Sequence, residues 1–154
     1  MVIGFDGSPA AERALRASAD LLGSRRALVV VVWEAGRAFD LMELPSVALD
    51  LPPAGLDVRT AFEVDQAMYE QAQRLAQQGA ALARELGFDA EGLAVADEIT
   101  VPDTLLRVAK EYDSPGIVVG SHGHSAIGEV LLGSTTHTLL KHADRPVVVV
   151  RDGR

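Results

Sequence analysis

Apolar residues fall in four short blocks, Val2–Phe5, Ala27–Trp33, Gly116–Val119 and Val147–Val150, with no alternation of polar and apolar positions inside them. Short, β-branched, unbroken blocks of this kind predict strands covered on both faces. A fifth block around Leu93–Ile99 is weaker, because Asp97 and Glu98 interrupt it. Between the blocks the period changes to that of a helix. Ser8 and Pro9 supply an N-cap and a first-turn proline. Ala11, Ala14, Leu15 and Leu22 then share one stripe, with Ser18 its only polar member, and Gly23 stops it. The longest helix is expected over about Val64–Leu86, with Met68, Ala72, Leu75, Ala76 and Leu82 inward and Gly87 at its C-cap. Pro102 opens a third helix through Leu105, Leu106 and Ala109. Ser134 opens a fourth through Leu139, Leu140 and Ala143, which Pro146 cannot continue.

The order β-α-β-α-β-α-β-α-β predicts a parallel α/β sheet with helices on both faces and right-handed crossovers. In such sheets ligands sit beyond the C-terminal ends of the strands, where the strand order reverses. One stretch is too long for an ordinary connection. Ala35–Glu63 carries Pro45, Pro52, Pro53, Gly36 and Gly55, and predicts a long loop at about 35–63. It reads equally as a flap over a ligand site or as an idle insertion.

Composition narrows the function classes. A chain of 154 residues suits one domain spanning 1–154. A net charge of −8 and a pI near 4.9 oppose nucleic-acid backbones and anionic membranes, which need a basic patch. No apolar run approaches a membrane span, and the opening MVIGFDGSP does not read as a secretory signal. The absence of cysteine removes thiolate chemistry and disulfides and suits a reducing cytoplasm. An acidic chain can still hold a small anion through backbone N–H groups and a helix N-terminus.

The strongest chemical signal is Gly120-Ser-His-Gly123-His-Ser-Ala-Ile-Gly-Glu-Val-Leu-Leu-Gly133-Ser134, lying between a buried strand and a helix. Gly120 and Gly123 permit positive φ and let N–H groups approach a ligand. Gly133 and Ser134 stand at a helix start, where unpaired N–H groups, the dipole and a hydroxyl converge on an anion. The parts suit a triphosphate cradle, although glycine-rich turns also occur in purely structural loops. No G-x-x-x-x-G-K-[ST] and no G-x-G-x-x-G after the first strand occur, which excludes a P-loop and a dinucleotide fingerprint.

The pattern Gly120-x2-Gly123-x9-Gly133-Ser134 resembles the nucleotide-binding signature of the universal stress protein family. VIGFDGSPAAERAL, IVVGSHG and LLKHADRPVVVVR are similar to further blocks of that family, and the likeness covers the chain apart from the 35–63 loop. The resemblance implies a five-stranded sheet in the order 3-2-1-4-5, with the Asp6-Gly7-Ser8 loop facing the glycine loop across one crevice. It implies that Asp6 contacts ribose or helps hold Mg2+, and that Ser8 lies at the site's edge. The Val32 backbone would meet adenine, Gly120 the ribose, and Gly123, Gly133, Ser134 and Thr135 the phosphates of ATP, ADP or AMP. His122 and His124 stand where many relatives have arginine, so they offer a triphosphate less when neutral. The resemblance also implies a homodimer paired through 147–150.

Plainer roles stand beside these. Asp6 can help Ser8 begin the first helix. Two histidines without a third ligand are more often loop residues than a metal site. His137 and His142 are best placed on a helix surface, and Trp33 buried at a strand end. Ser121, Ser125 and Thr136 read as loop or helix-start residues rather than nucleophiles, since no base is spaced to serve them. The expected function is a regulatory, ATP-binding stress-response protein with at most slow hydrolysis. The alternatives are a nucleotide hydrolase or adenylyl-transferring enzyme, and a nucleotide-free dimeric interaction module.

Overall fold

The computed structural model describes residues 1–23, 25–36, 39, 58–97, 99–121 and 133–151. Five strands, β1 (Val2–Gly4), β2 (Arg26–Trp33), β3 (Asp89–Ala96), β4 (Ile117–Gly120) and β5 (Val147–Val150), form one parallel sheet in the order β3-β2-β1-β4-β5. Among the described residues, four helices alternate with them: α1 (Pro9–Leu22), α2 (Val58–Glu85), α3 (Val101–Glu111) and α4 (Ser134–His142).

The order follows from two runs of right-handed crossovers. The chain steps outward from β1 through α1 and α2 to β3, then returns through α3 to β4 beside β1. The first two helices therefore cover one face and the last two the other. On the first face Ile3, Phe5, Val29, Val31 and Val118 meet Leu15 of α1 and Ala72, Ala76, Ala80 and Ala83 of α2. On the second, Val2, Val30, Ile117 and Val119 meet Leu105, Val108 and Ala109 of α3 and Leu139 of α4. The unbroken valine runs fill both layers at once. Alanine on α2 lets that helix lie close to the sheet, so a Cβ added at Gly79 would fall 2.8 Å from Phe5 and Val29.

The helix boundaries have local causes. Ser8 accepts from the Ala11 amide (3.2 Å) to start α1, and Gly23 ends it at φ +68°. Ser18 lies wholly buried in the α1 stripe and returns its hydroxyl to the Leu15 carbonyl at 2.8 Å. Thr100 caps α3. At its far end Arg145 reaches across from beyond α4, donating to the Ala109 and Ser114 carbonyls at 2.7 and 2.8 Å. The same guanidinium holds the Asp144 carboxyl below the usual carboxylate range through a side-chain hydrogen bond.

Two expectations shift. The weak fifth block is a strand over Asp89–Ala96, four residues earlier than 93–99. As an edge strand it turns Asp89 and Glu91 to solvent, which hides it from a search for unbroken apolar runs. The second helix begins at Val58 rather than Val64, so the last six residues of the expected 35–63 loop are helical. This turn exposes Val58 and Phe62 and leaves little core-facing stripe to read. Phe62 instead sets its ring edge-on to Phe39, centroids 5.1 Å apart. Residues 40–57 of the expected loop lie outside the described residues. No described helix is long and apolar enough to cross a membrane.

Candidate functional site

The strand order reverses between β1 and β4, and the segments leaving these strands stand side by side at the C-terminal edge of the sheet. From β1 the chain turns through Asp6-Gly7-Ser8 into α1. The Ser8 amide donates to Asp6 Oδ1 at 2.9 Å, and Ser8 itself is buried as the α1 cap. The helix-starting role of Asp6 is therefore real, and its carboxylate is held half-buried at the mouth of the crevice. Gly7 turns at φ +76°, and a Cβ there would lie 2.9 Å from Leu75 of α2. Glycine is required at this turn for its conformation, and a methyl group there would also displace the Leu75 side chain.

Val32 and Trp33 end β2. The Val30 carbonyl accepts from the Phe5 amide, and the Trp33 carbonyl accepts from the Asp97 amide on the opposite side. Backbone groups alternate along a strand, so those of Val32 point the way Val30's do, over the end of the shorter β1. Trp33 is half-buried against the α1–α2 face, its ring 5.6 Å from Tyr69. It is wall rather than exposed platform, as the plainer reading expects.

Beyond β4 the expected glycine position holds for a different reason. Gly120 does not turn at positive φ. Instead, a Cβ on it would fall 2.9 Å from the carbonyl carbon and oxygen of Ala10, so glycine lets β4 pass the first turn of α1. Conformational freedom is not what this residue supplies.

Ser121 is buried; its backbone amide donates to the Val150 carbonyl at 2.8 Å and its carbonyl accepts from the Gly133 amide at 2.9 Å. The buried Thr136 hydroxyl donates to the Gly120 carbonyl at 3.0 Å. These bonds fix the start of α4 beside the end of β4, and give the Thr136 hydroxyl a structural role. Gly133 caps α4 without a side-chain hydrogen bond, unlike the serine and threonine caps of α1 and α3. Ser134 is exposed and Thr135 half-buried in the first turn. Residues 122–132, including His122, Gly123, His124 and Ser125, lie outside the described residues.

A cleft of about 380 Å³ opens from this helix start, lined by Ser134, Thr135, Thr138 and His142 of α4 and by Thr100, Pro102 and Asp103 at the start of α3. The α3 side is absent from the sequence reading. Its only signal is the Thr100-x-x-Asp103 spacing of a capping pair, in which the Thr100 hydroxyl donates to the Asp103 carboxylate. His137 and His142 are exposed on α4, as expected.

Among the described residues no group of three acidic, histidine or cysteine side chains could cage a metal. Mg2+ keeps several waters and commonly binds one or two carboxylates together with substrate phosphates. Asp6 and Asp103 fit that lesser demand, and a closed protein cage does not.

A parallel α/β module with an anion-ready helix start at its switch point is thereby defined. The chain matches the universal stress protein family over residues 1–151 and belongs to it. It is 37% identical over 101 residues to a universal stress protein of Mycolicibacterium smegmatis, covering 64% of this chain and 33% of that one. It is 26% identical over 151 residues to universal stress protein YxiE of Bacillus subtilis, covering 98% and 97%. The chain spans less than half the length of several mycobacterial relatives, among them Mb2028c of Mycobacterium bovis, at 30% identity and 45% of its length.

Among solved structures, MJ0577 of Methanocaldococcus jannaschii superposes with a TM-score of 0.74 at 21% identity, over 99% of this chain and 95% of that one. The Archaeoglobus fulgidus protein in complex with dAMP gives 0.59 at 20% identity, over 97% and 94%. An Arabidopsis thaliana family member with AMP bound gives 0.61 at 15% identity, over 99% and 90%.

Proposed function

We propose that the chain binds an adenine nucleotide across the β1–β4 crevice and acts as a cytoplasmic regulatory module rather than a fast enzyme. The observation that carries this reading is the glycine-capped start of α4, hydrogen-bonded to the end of β4 and opposite the Asp6–Ser8 turn. First-turn N–H groups without a capping side chain can receive phosphate oxygens there. The Val32 backbone points over β1 toward an adenine edge, and Asp6 stands where a ribose hydroxyl or a cation would lie. Gly133, Ser134 and Thr135 meet the phosphates, Gly120 the ribose, and Ser8 the margin. His122, Gly123 and His124 complete the proposed cradle from the 122–132 loop. The dAMP and AMP complexes of the structural relatives support the ligand class. ATP is the proposed physiological ligand, with Mg2+ accompanying it.

Fast turnover would need an oriented water, a base and a cationic stabiliser besides the cradle. Hydrolysis is expected to be slow. Isothermal titration with ATP, ADP and AMP tests binding, and heat signals no larger than dilution for all three would end this reading.

The proposed assembly is a homodimer through β5. Val147–Val150 is half-buried throughout and borders the sheet without charge or proline, whereas the opposite edge strand carries Asp89 and Glu91. The Pro146 and Val150 carbonyls face β4, so by alternation the Val149 amide faces outward. Val149→Pro removes one outward donor and leaves the β4 pairing intact. Sedimentation is expected to show a wild-type dimer and a variant whose dissociation constant rises about ten-fold or more, a cost near 1.4 kcal/mol. A monomeric wild type at micromolar concentration would refute the pairing.

A further inference from the structure

We propose that Asp103 sets which form of the nucleotide this site accepts: the divalent-cation complex of a di- or triphosphate, rather than the free anion. The inference rests on the nucleotide-binding reading and deepens it. Ser134 and Thr135, which would meet phosphate, share one cleft with Asp103, which stands across from them on α3. A phosphate chain growing along the cleft from the start of α4 meets that exposed carboxylate. Two like charges about 5 Å apart at an effective dielectric near 20 repel by about 3 kcal/mol, so the chain is disfavoured there without a cation between them.

The other lining groups are hard donors suited to a hydrated cation: the hydroxyls of Thr100, Thr138, Ser134 and Thr135, with the His142 imidazole at the margin. Asp103 can serve without giving up its structural bond, because only its Oδ2 takes the Thr100 hydroxyl.

The test compares Asp103→Asn with wild type by titration of AMP and ATP, with Mg2+ and with chelator. The replacing amide oxygen still accepts from Thr100, so melting temperature serves as the fold control. For wild type, Mg2+ is expected to tighten ATP about ten-fold or more while leaving AMP within about two-fold. In the variant, metal-free ATP should bind about ten-fold tighter than to wild type, and the Mg2+ effect should shrink below about three-fold. A variant that keeps the full Mg2+ enhancement overturns the assignment. Unaltered AMP binding beside that result leaves the nucleotide reading standing, whereas wild type that binds neither ligand sinks both.

A second readout is independent of affinity. Mn2+·ATP should broaden the amide signals of Thr100, Val101, Asp103, Thr104 and Thr138 by paramagnetic relaxation. Broadening confined to Asp6–Ser8 would place the cation at the other carboxylate and overturn the proposal.

Discussion

Ser134→Asp is expected to weaken ATP binding about 100-fold, equivalent to about 2.7 kcal/mol, while the melting temperature holds or rises slightly. The two effects have opposite signs because the new charge meets two different partners. Toward its own helix, a carboxylate in the first turn complements the macrodipole and contributes about 0.3–1 kcal/mol. The first turn of α4 carries no acidic residue of its own, so nothing repels the newcomer within the helix. Toward a bound phosphate, the same carboxylate is a like charge within roughly 5 Å, worth about 3 kcal/mol at an effective dielectric of 20.

Stability and affinity should therefore separate, which a merely damaged fold could not produce. The loss should be smaller for AMP, which brings less charge to the helix start. Titration calorimetry alongside thermal melting measures both quantities. A variant binding ATP within about three-fold of wild type would show that no phosphate rests on the start of α4.

The sheet was readable because four of its blocks, the inner Val2–Phe5, Ala27–Trp33 and Gly116–Val119 and the edge Val147–Val150, are apolar without interruption. Burial on two sides writes itself into composition. The β3 edge admits the exposed Asp89 and Glu91, unlike the all-valine β5 edge, so its start lies four residues before the expected one. The first turn of α2 was hidden for a related reason. Its Val58 is exposed and its Phe62 answers to Phe39 rather than to the core, and no periodicity reports such a contact.

At the site, the sequence located Gly120 but assigned it conformational freedom, when the constraint is the Ala10 carbonyl 2.9 Å from where its Cβ would be. That is a tertiary fact, set by how α1 crosses the end of β4. Asp103 escaped notice for the same cause. Thirty-one positions separate it from Ser134, and only the packing of α3 beside α4 puts the two in one cleft. Local capping signals, by contrast, transferred directly. Ser8, Pro9 and Gly23 bound α1 as read, because each acts through its own backbone neighbours.

Gly92→Ala is expected to cost about 3 kcal/mol, a fall in melting temperature of about 6–12 °C for a chain of this size. A methyl group is the smallest side chain that can be added, yet here it has nowhere to go. The added Cβ would sit 2.6 Å from the carbonyl carbon of Ala76 and 3.0 Å from the amide nitrogen of Gln77, both backbone atoms of α2. A side chain can rotate away from such an intrusion. A helical backbone can yield only by moving the helix.

Moving α2 has a consequence at the site. About two turns earlier its Tyr69 faces Trp33, and Leu75, next to Ala76, fills the space beside Gly7 in the Asp6–Ser8 turn. The variant should therefore also loosen nucleotide binding, by several-fold, although Gly92 lies on the edge strand. Gly23→Ala is the matched control. Its φ of +68° with ψ of −179° imposes strain of about 1–3 kcal/mol, but nothing lies within 4 Å, so no helix need move and nucleotide binding should be unaltered. Gly92 does not turn at positive φ, so a loss below about 1 kcal/mol in its alanine variant would mean that close docking of α2 on β3 does not set the requirement for glycine there.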